Sequence, residues 1–238
     1  MRFALVSGKG GREINEDTVG RLKKNGMYCF VLADGLGGQN GGETASSLAS
    51  STILKCFDSQ AEMSKDIVYA YMEAAQNAII EKRKENSDMR KMGTTVVTLI
   101  IDGKRAIWAH CGDSRLYRFR KHLIQEVTDD HSVAFASFLA GDIEYDEIRT
   151  SPDQNKLLRT LGDGTKFRPD ISDVVKLEKN ACFLMCSDGF WEYVDEDFME
   201  YSRKRSSTPK EWLQYMLDER KRNAPRDADN YSAIAVFA

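Results

Sequence analysis

The residues best suited to chemistry in this sequence are acidic. Four Asp-Gly dipeptides occur, and their surroundings separate them. Asp102-Gly103 stands between two β-forming runs and Asp163-Gly164 in a polar stretch, so a turn accounts for each. Asp34-Gly35 and Asp188-Gly189 each close an apolar run, at residues 30–33 and 183–187. A carboxylate fixed at a strand end, beside a glycine that lets the backbone approach a ligand, suits a cation. Two further acidic groups are Asn15-Glu16-Asp17, after Gly10-Gly11-Arg12, and Asp227-Ala228-Asp229-Asn230, before the last β-run. Hard oxygen donors without a histidine cluster favour Mg²⁺ or Mn²⁺ over zinc. His110, His122 and His131 read as structural or surface groups. The glycine-rich run at residues 35–42 lacks the Lys-Ser/Thr of a phosphate loop, and Asn40 occupies the last glycine position of a dinucleotide fingerprint.

The elements that must position these groups are legible from periodicity. Residues 3–7 and 27–33 read as strands. Ala45, Leu48, Ala49, Thr52, Ile53, Cys56 and Phe57 form a helical stripe, repeated by Ile67, Ala70, Tyr71, Ala74, Ala75, Ala78 and Ile79. Residues 94–101, 106–110 and 116–119 are short β-runs, the first two joined by Asp102-Gly103-Lys104-Arg105, and together they predict a three-stranded meander. A strand at 123–127 follows, then a polar, irregular stretch at 131–165 with short helical pieces. Strands return at 174–177, 181–186 and 232–237. Thr208-Pro209-Lys210-Glu211 is a capping box with proline at the first helical position, opening a helix to about Arg222. The expected class is α+β, with β-sheets sandwiched by helical layers.

At 238 residues, without a Ser/Gly-rich linker or an internal repeat, the expectation is one domain over 1–238. The net charge of −3 gives no global attraction to nucleic acid or to an anionic membrane, and a phosphate-bearing substrate would need local cations. Five cysteines without paired short spacings argue against a disulfide framework, and Cys182 and Cys186 read as small hydrophobes in a buried strand rather than a zinc pair. No signal sequence or membrane-length apolar run is visible, so the expectation is a cytoplasmic monomer.

Taken in order, the motifs resemble the metal-dependent (PPM, type 2C) protein phosphatases in their compact bacterial form. The matching stretches are Arg12-Glu13-Ile14-Asn15-Glu16-Asp17, then Val31-Leu32-Ala33-Asp34-Gly35-Leu36-Gly37-Gly38, and Gly93-Thr94-Thr95. Cys111-Gly112-Asp113-Ser114-Arg115, Thr128-Asp129-Asp130-His131-Ser132 and Leu158-Arg159-Thr160-Leu161-Gly162 follow, and Cys186-Ser187-Asp188-Gly189 and Asp229-Asn230 complete the set. The resemblance implies two mainly antiparallel central sheets flanked by antiparallel helices, with a variable flap at about 131–165. It implies that Asp34 bridges two Mn²⁺ or Mg²⁺ ions and that Gly35 contributes its carbonyl. Asp188 and Asp229 complete the first metal site, and Glu16 and Asp17 serve the second, directly or through water. Asp113 with Asp188 would hold a third, weaker ion, and Arg12 matches the phosphate-binding arginine.

The implied reaction is hydrolysis of phosphoserine and phosphothreonine esters, by in-line attack of a water bridging two metals whose pKa the ions depress. Arg12 offers a planar fork for phosphate oxygens. The implied partners are phosphorylated proteins, substrates of a serine/threonine kinase. The sequence departs from the family pattern at Gln39, where relatives commonly carry a histidine proposed to protonate the leaving group. That departure keeps open an alternative, a weakly active relative that binds phosphoproteins as a regulatory module. A Mg²⁺-dependent phosphodiesterase or nucleotide hydrolase is a third reading, disfavoured by the missing phosphate loop.

Overall fold

The computed structural model describes residues 1–37, 41–85, 89–165 and 167–238. Gln39, the sequence's departure from the family pattern, lies outside the described residues. Two antiparallel sheets face one another. The first runs β1 (Arg2–Gly8), β12 (Tyr231–Phe237), β11 (Cys182–Cys186), β7 (Arg115–Arg120), β8 (Leu123–Val127). The second runs β10 (Val175–Lys176), β6 (Arg105–Cys111), β5 (Val96–Ile101), β3 (Met27–Leu36), β2 (Asp17–Lys24). The short β4 (Gly93–Thr94) adds to β3, and β9 (Asp170–Ile171) adds to β6.

Side-chain alternation explains the layering. In β3, Phe30 and Leu32 point into the space between the sheets, where they meet Phe183, Met185, Ile234 and Val236 of the opposite sheet. Cys29, Val31 and Ala33 point the other way, onto α1 (Gly41–Ser59) and α2 (Lys65–Glu85). Such a strand is buried on both faces, which is why it reads as a continuous apolar run. On the far side, Cys182, Leu184 and Cys186 of β11 pack with Trp212 and Met216 of α6 (Pro209–Asn223) and Met199 of α5 (Glu196–Arg205). The helical stripes, the capping box of Thr208 and Glu211, and the Asp102 turn all stand where the sequence places them.

The predicted meander is corrected. β5 pairs with β6, but β7 leaves that sheet and pairs with β8 and β11 in the other. Gly112, at φ 115°, therefore turns the chain across the sandwich rather than into a hairpin. Short apolar runs show that a strand exists but do not name its partner. The strand β2, in which only Asp17 is buried, and the short α5, whose ten residues include only Phe198, Met199 and Tyr201 as large apolar groups, were absent from the sequence expectation.

Where the chain crosses, Arg115 is buried and forms a two-pronged pair with Asp130, at 2.8 and 2.6 Å. Its guanidinium lies 3.6 Å from the centre of the Trp191 ring. Both partners of this pair are 2 % exposed, and without Asp130 the buried guanidinium keeps only the more distant, partly exposed Glu196, at 3.4 Å. Asp130→Ala should therefore lower stability by about 3–5 kcal/mol in urea unfolding, whereas Arg118→Ala, at an exposed pair with Glu126, should cost less than about 1 kcal/mol. Equal effects would show that the buried pair is dispensable.

Candidate active site

The carboxylates singled out in the sequence gather at one end of the sandwich because of strand register. Asp17, at the start of β2, pairs directly with Asp34 near the end of β3. Asp188 follows β11, Asp229 precedes β12, and Asp113 sits in the crossing between β6 and β7. These ends border a cavity of about 500 Å³ lined by Arg12, Glu16, Asp34, Gly35, Asp113, Asp188 and Asp229. Ile14, Asn155 and Leu157 also line it, the last two from the 131–165 stretch. Asp17 does not line the cavity; it lies buried behind it, accepting from the Ser187 hydroxyl at 2.9 Å.

The residues that bear these carboxylates are anchored by backbone, hydroxyl and indole groups. The Asp34 amide donates to Thr95 Oγ1 at 3.2 Å, and Thr95 Oγ1 meets Ser114 Oγ at 2.7 Å. Gly35 allows close packing, because a Cβ there would stand 2.2 Å from the Gly42 carbonyl oxygen and 2.7 Å from that of Glu16. Asp188 and Asp229 each accept the amide of the following residue, at 2.6 and 2.7 Å. Trp191 Nε1 donates to the Asp113 carbonyl at 3.0 Å. Asn230 ties the 9–16 stretch to the segment that enters β12. Its Oδ1 accepts from the Glu16 amide at 2.8 Å, and its Nδ2 donates to the carbonyls of Lys9 and Ile14, both at 2.9 Å. In the sequence Asn230 stands beside Asp229 without an evident role, and Trp191 and Asn155 carry no signal.

The electrostatics are unfavourable without a cation. Burial raises the carboxyl of Asp34 well above its ordinary value, and the neighbouring Asp17, Asp188 and Asp113 push it further. Burial likewise raises Asp113 and Asp188, and lifts Asp17 to about 7. Burial and the mutual repulsion of these neighbouring carboxyls act in the same direction, both favouring the protonated form. Among the described residues, no side-chain cation forms an ion pair with Asp17, Asp34, Asp113 or Asp188. Asp17 Oδ1 is buried and without a hydrogen-bond partner. A crowded, oxygen-only donor set with an orphaned carboxylate oxygen is one that hard divalent cations satisfy.

Arg12 stands at the mouth, half-exposed, with Nη2 2.9 Å from Asp229 Oδ2. Exposed pairs of this kind are weak, so the guanidinium is available to a competing anion. The histidines are structural here. His131 Nδ1 accepts the Gly112 amide at 3.1 Å, which places its proton on Nε2, 3.0 Å from Asp170 Oδ2. His110, His131 and Asp170 bring donor atoms within 4.8 Å of one another, but that proton occupies the nitrogen a metal would need. His110 stacks on His131 at 4.5 Å and contacts the Asp129 carbonyl through Nε2. No helix among the described residues is long and apolar enough to cross a membrane.

The family model for protein phosphatase 2C matches residues 10–224. The chain is 30% identical over 234 residues to the serine/threonine phosphatase stp of Listeria monocytogenes serotype 4b, covering 94% of this chain and 90% of that protein. Its fold superposes on the Mycobacterium tuberculosis serine/threonine phosphatase PstP/Ppp with a TM-score of 0.86 at 25% identity, covering 98% of this chain and 97% of that one. It also matches the catalytic domain of the serine/threonine phosphatase PstP in complex with two manganese ions, with a TM-score of 0.83 at 24% identity, over 100% of this chain and 98% of that one. The chain belongs to the protein phosphatase 2C family, the metal-dependent serine/threonine protein phosphatases.

A carboxyl raised by burial makes the native state favour its proton. The metal-free protein therefore loses stability as pH rises from the ordinary value of 3.8 through about 7, the position of Asp17. Mn²⁺ should raise the melting temperature little at the acid end of that window and most above its upper end. A melting temperature indifferent to Mn²⁺ at every pH would contradict the convergence of the carboxylates.

Proposed function

We propose that the chain hydrolyses phosphoserine and phosphothreonine esters in proteins, with its acidic cavity as the active site. The observation that carries this reading is the convergence of Asp34, Asp113, Asp188 and Asp229 with Glu16 on one cavity whose mouth holds Arg12. Asp34, Asp188 and Asp229 would hold one divalent ion, Asp34, the Gly35 carbonyl and Glu16 a second, and Asp113 with Asp188 a weaker third. Mn²⁺ or Mg²⁺ bound there supplies Lewis-acid charge and a water of depressed pKa.

The chain's own groups define the rest. No cysteine, serine or histidine lines the cavity among the described residues. Burial pushes the thiols of Cys111, to about 12, and Cys186 upward, so neither is a thiolate near neutral pH. Water is then the nucleophile, and the carboxylates fix where it can stand. Arg12 leaves Asp229 to grip two phosphate oxygens, orienting the ester so that the leaving oxygen faces away from the carboxylate floor. Asn230 keeps the segments bearing Glu16, Arg12 and Asp229 in mutual register. Ile14, Asn155 and Leu157 offer the substrate polypeptide a mixed surface beside the phosphate.

A panel of phosphothreonine peptide, bis-nitrophenyl phosphate and ATP, with Mn²⁺ or with EDTA, tests this reading. The expected result is turnover of the peptide alone, abolished by EDTA and reduced about 10²-fold or more by Asp34→Asn. Preferential cleavage of the diester or of ATP, or hydrolysis surviving exhaustive chelation, would overturn it. Arg12→Ala should mainly raise KM, with a smaller fall in kcat. Wild-type kinetics in that variant would remove Arg12 from the site.

A further inference from the structure

On the other side of the loop that carries Arg12 lies a second cavity, of about 630 Å³. It opens between residues 9–11, the C-terminal half of α6 and residues 224–228. Lys9, Lys221 and Arg226 line it, all exposed, and none forms an ion pair among the described residues. Arg220 also lines it, is only 6 % exposed, and has no carboxylate partner among the described residues. Its Nε and Nη2 donate to the carbonyls of Gly189 and Asp229, at 2.6 and 3.1 Å, and its guanidinium lies 3.7 Å from the centre of the Tyr231 ring. The one acidic lining residue, Asp218, accepts from Gln214 at 2.9 Å.

A buried guanidinium is ordinarily matched by a carboxylate, as Arg115 is by Asp130. Arg220 is met instead by two carbonyls and the Tyr193 and Tyr231 rings, with Glu192 and Asp17 acting on it from beyond ion-pair distance, and three more cations line the same cavity on a chain whose net charge is −3. Local positive charge against the global sign is an electrostatic focus for an anion. Its position gives the anion an identity. Gly11 and Ala228 line this cavity, while their neighbours Arg12 and Asp229 line the catalytic one. The loop between is stitched in place, with the Gly11 amide on the Ala228 carbonyl at 2.8 Å and the Arg12 amide on the Lys9 carbonyl at 3.0 Å. The Arg12–Lys9 bond closes a turn, so their Cα atoms lie within about 7 Å, the span of about two residues of extended substrate polypeptide.

We propose that this groove binds the aspartate and glutamate side chains flanking the phosphorylated residue of a protein substrate, making acidic sequence context a determinant of specificity. This rests on the phosphatase reading of the adjoining cavity. The attraction is surface electrostatics, so it acts on KM and fades with salt.

The test compares two phosphothreonine peptides of equal length, one flanked by Asp and Glu, the other by Ser and Gln. At low salt with Mn²⁺, kcat/KM should favour the acidic peptide by about tenfold, the combined effect of several weak surface pairs. Lys9→Ser/Lys221→Ser/Arg226→Ser should abolish the preference and leave the neutral peptide within about twofold of wild type. Independently of turnover, the fluorescein-labelled acidic peptide without its phosphate should bind the wild-type chain in EDTA, by anisotropy, and lose that binding in the triple variant. Equal loss on both peptides, or no preference in the wild type, would overturn the groove and leave the phosphatase reading standing. Turnover of neither peptide would sink the phosphatase reading, while the anisotropy comparison would still decide the groove. Much tighter binding of a peptide with a second phosphothreonine in place of the carboxylates would overturn the assignment to Asp and Glu.

Discussion

The structure turns on one electrostatic problem, the confinement of several carboxylates at a single end of a sandwich made of apolar sheets. Two like charges about 4 Å apart repel by about 4 kcal/mol at an effective dielectric of ~20. Asp34 feels Asp17, Asp188 and Asp113 at once, in surroundings that also strip its water. No fold would tolerate this arrangement as a by-product, because burying a single unpaired charge is already costly. Protons relieve it in acid, and divalent cations would relieve it near neutral pH. The sheets and their supports make sense as the frame that keeps these groups close despite their repulsion.

That frame works through connections that carry no chemistry themselves. Antiparallel pairing of β2 with β3 places Asp17 opposite Asp34, and the two apolar faces of β3 lock the strand between helices and the facing sheet. The crossing at Gly112 lets Asp113 join carboxylates from both sheets, and it is pinned from two sides. His131 accepts the Gly112 amide, with Asp170 fixing the tautomer that makes this a good acceptor. Trp191 holds the Asp113 carbonyl while stacking against Arg115, whose charge is met by Asp130. A polar network of this kind is stabilising only when complete, so its members depend on one another.

Much of this was legible before any coordinates. Strand β3 and its Asp-Gly end declare themselves because an apolar run must be buried and a carboxylate after it must emerge where the run stops. The helices declare themselves through their stripes and the Thr208 cap. What periodicity does not carry is partnership. Leu116 and Phe119 mark a strand, but only the packing of Leu116 between the sheets and Phe119 beneath the helices places β7 opposite β11 rather than β6. Glu16 and Asp17 are equivalent as letters, and register alone turns Glu16 to the cavity and Asp17 to the interior. Arg220 reads as one of several basic residues ending an amphipathic helix; its burial and its lack of a carboxylate exist only in three dimensions.

A carboxylate cluster that serves as a cation site must depend for its occupancy on Asp34, which faces the other acidic groups at once. Isothermal titration of Mn²⁺ into the EDTA-treated, dialysed chain near neutral pH measures this directly. The expected result is two or more ions per wild-type chain and a loss of high-affinity binding in Asp34→Asn, with the variant still folded by circular dichroism. Undiminished stoichiometry and affinity in that variant would contradict it.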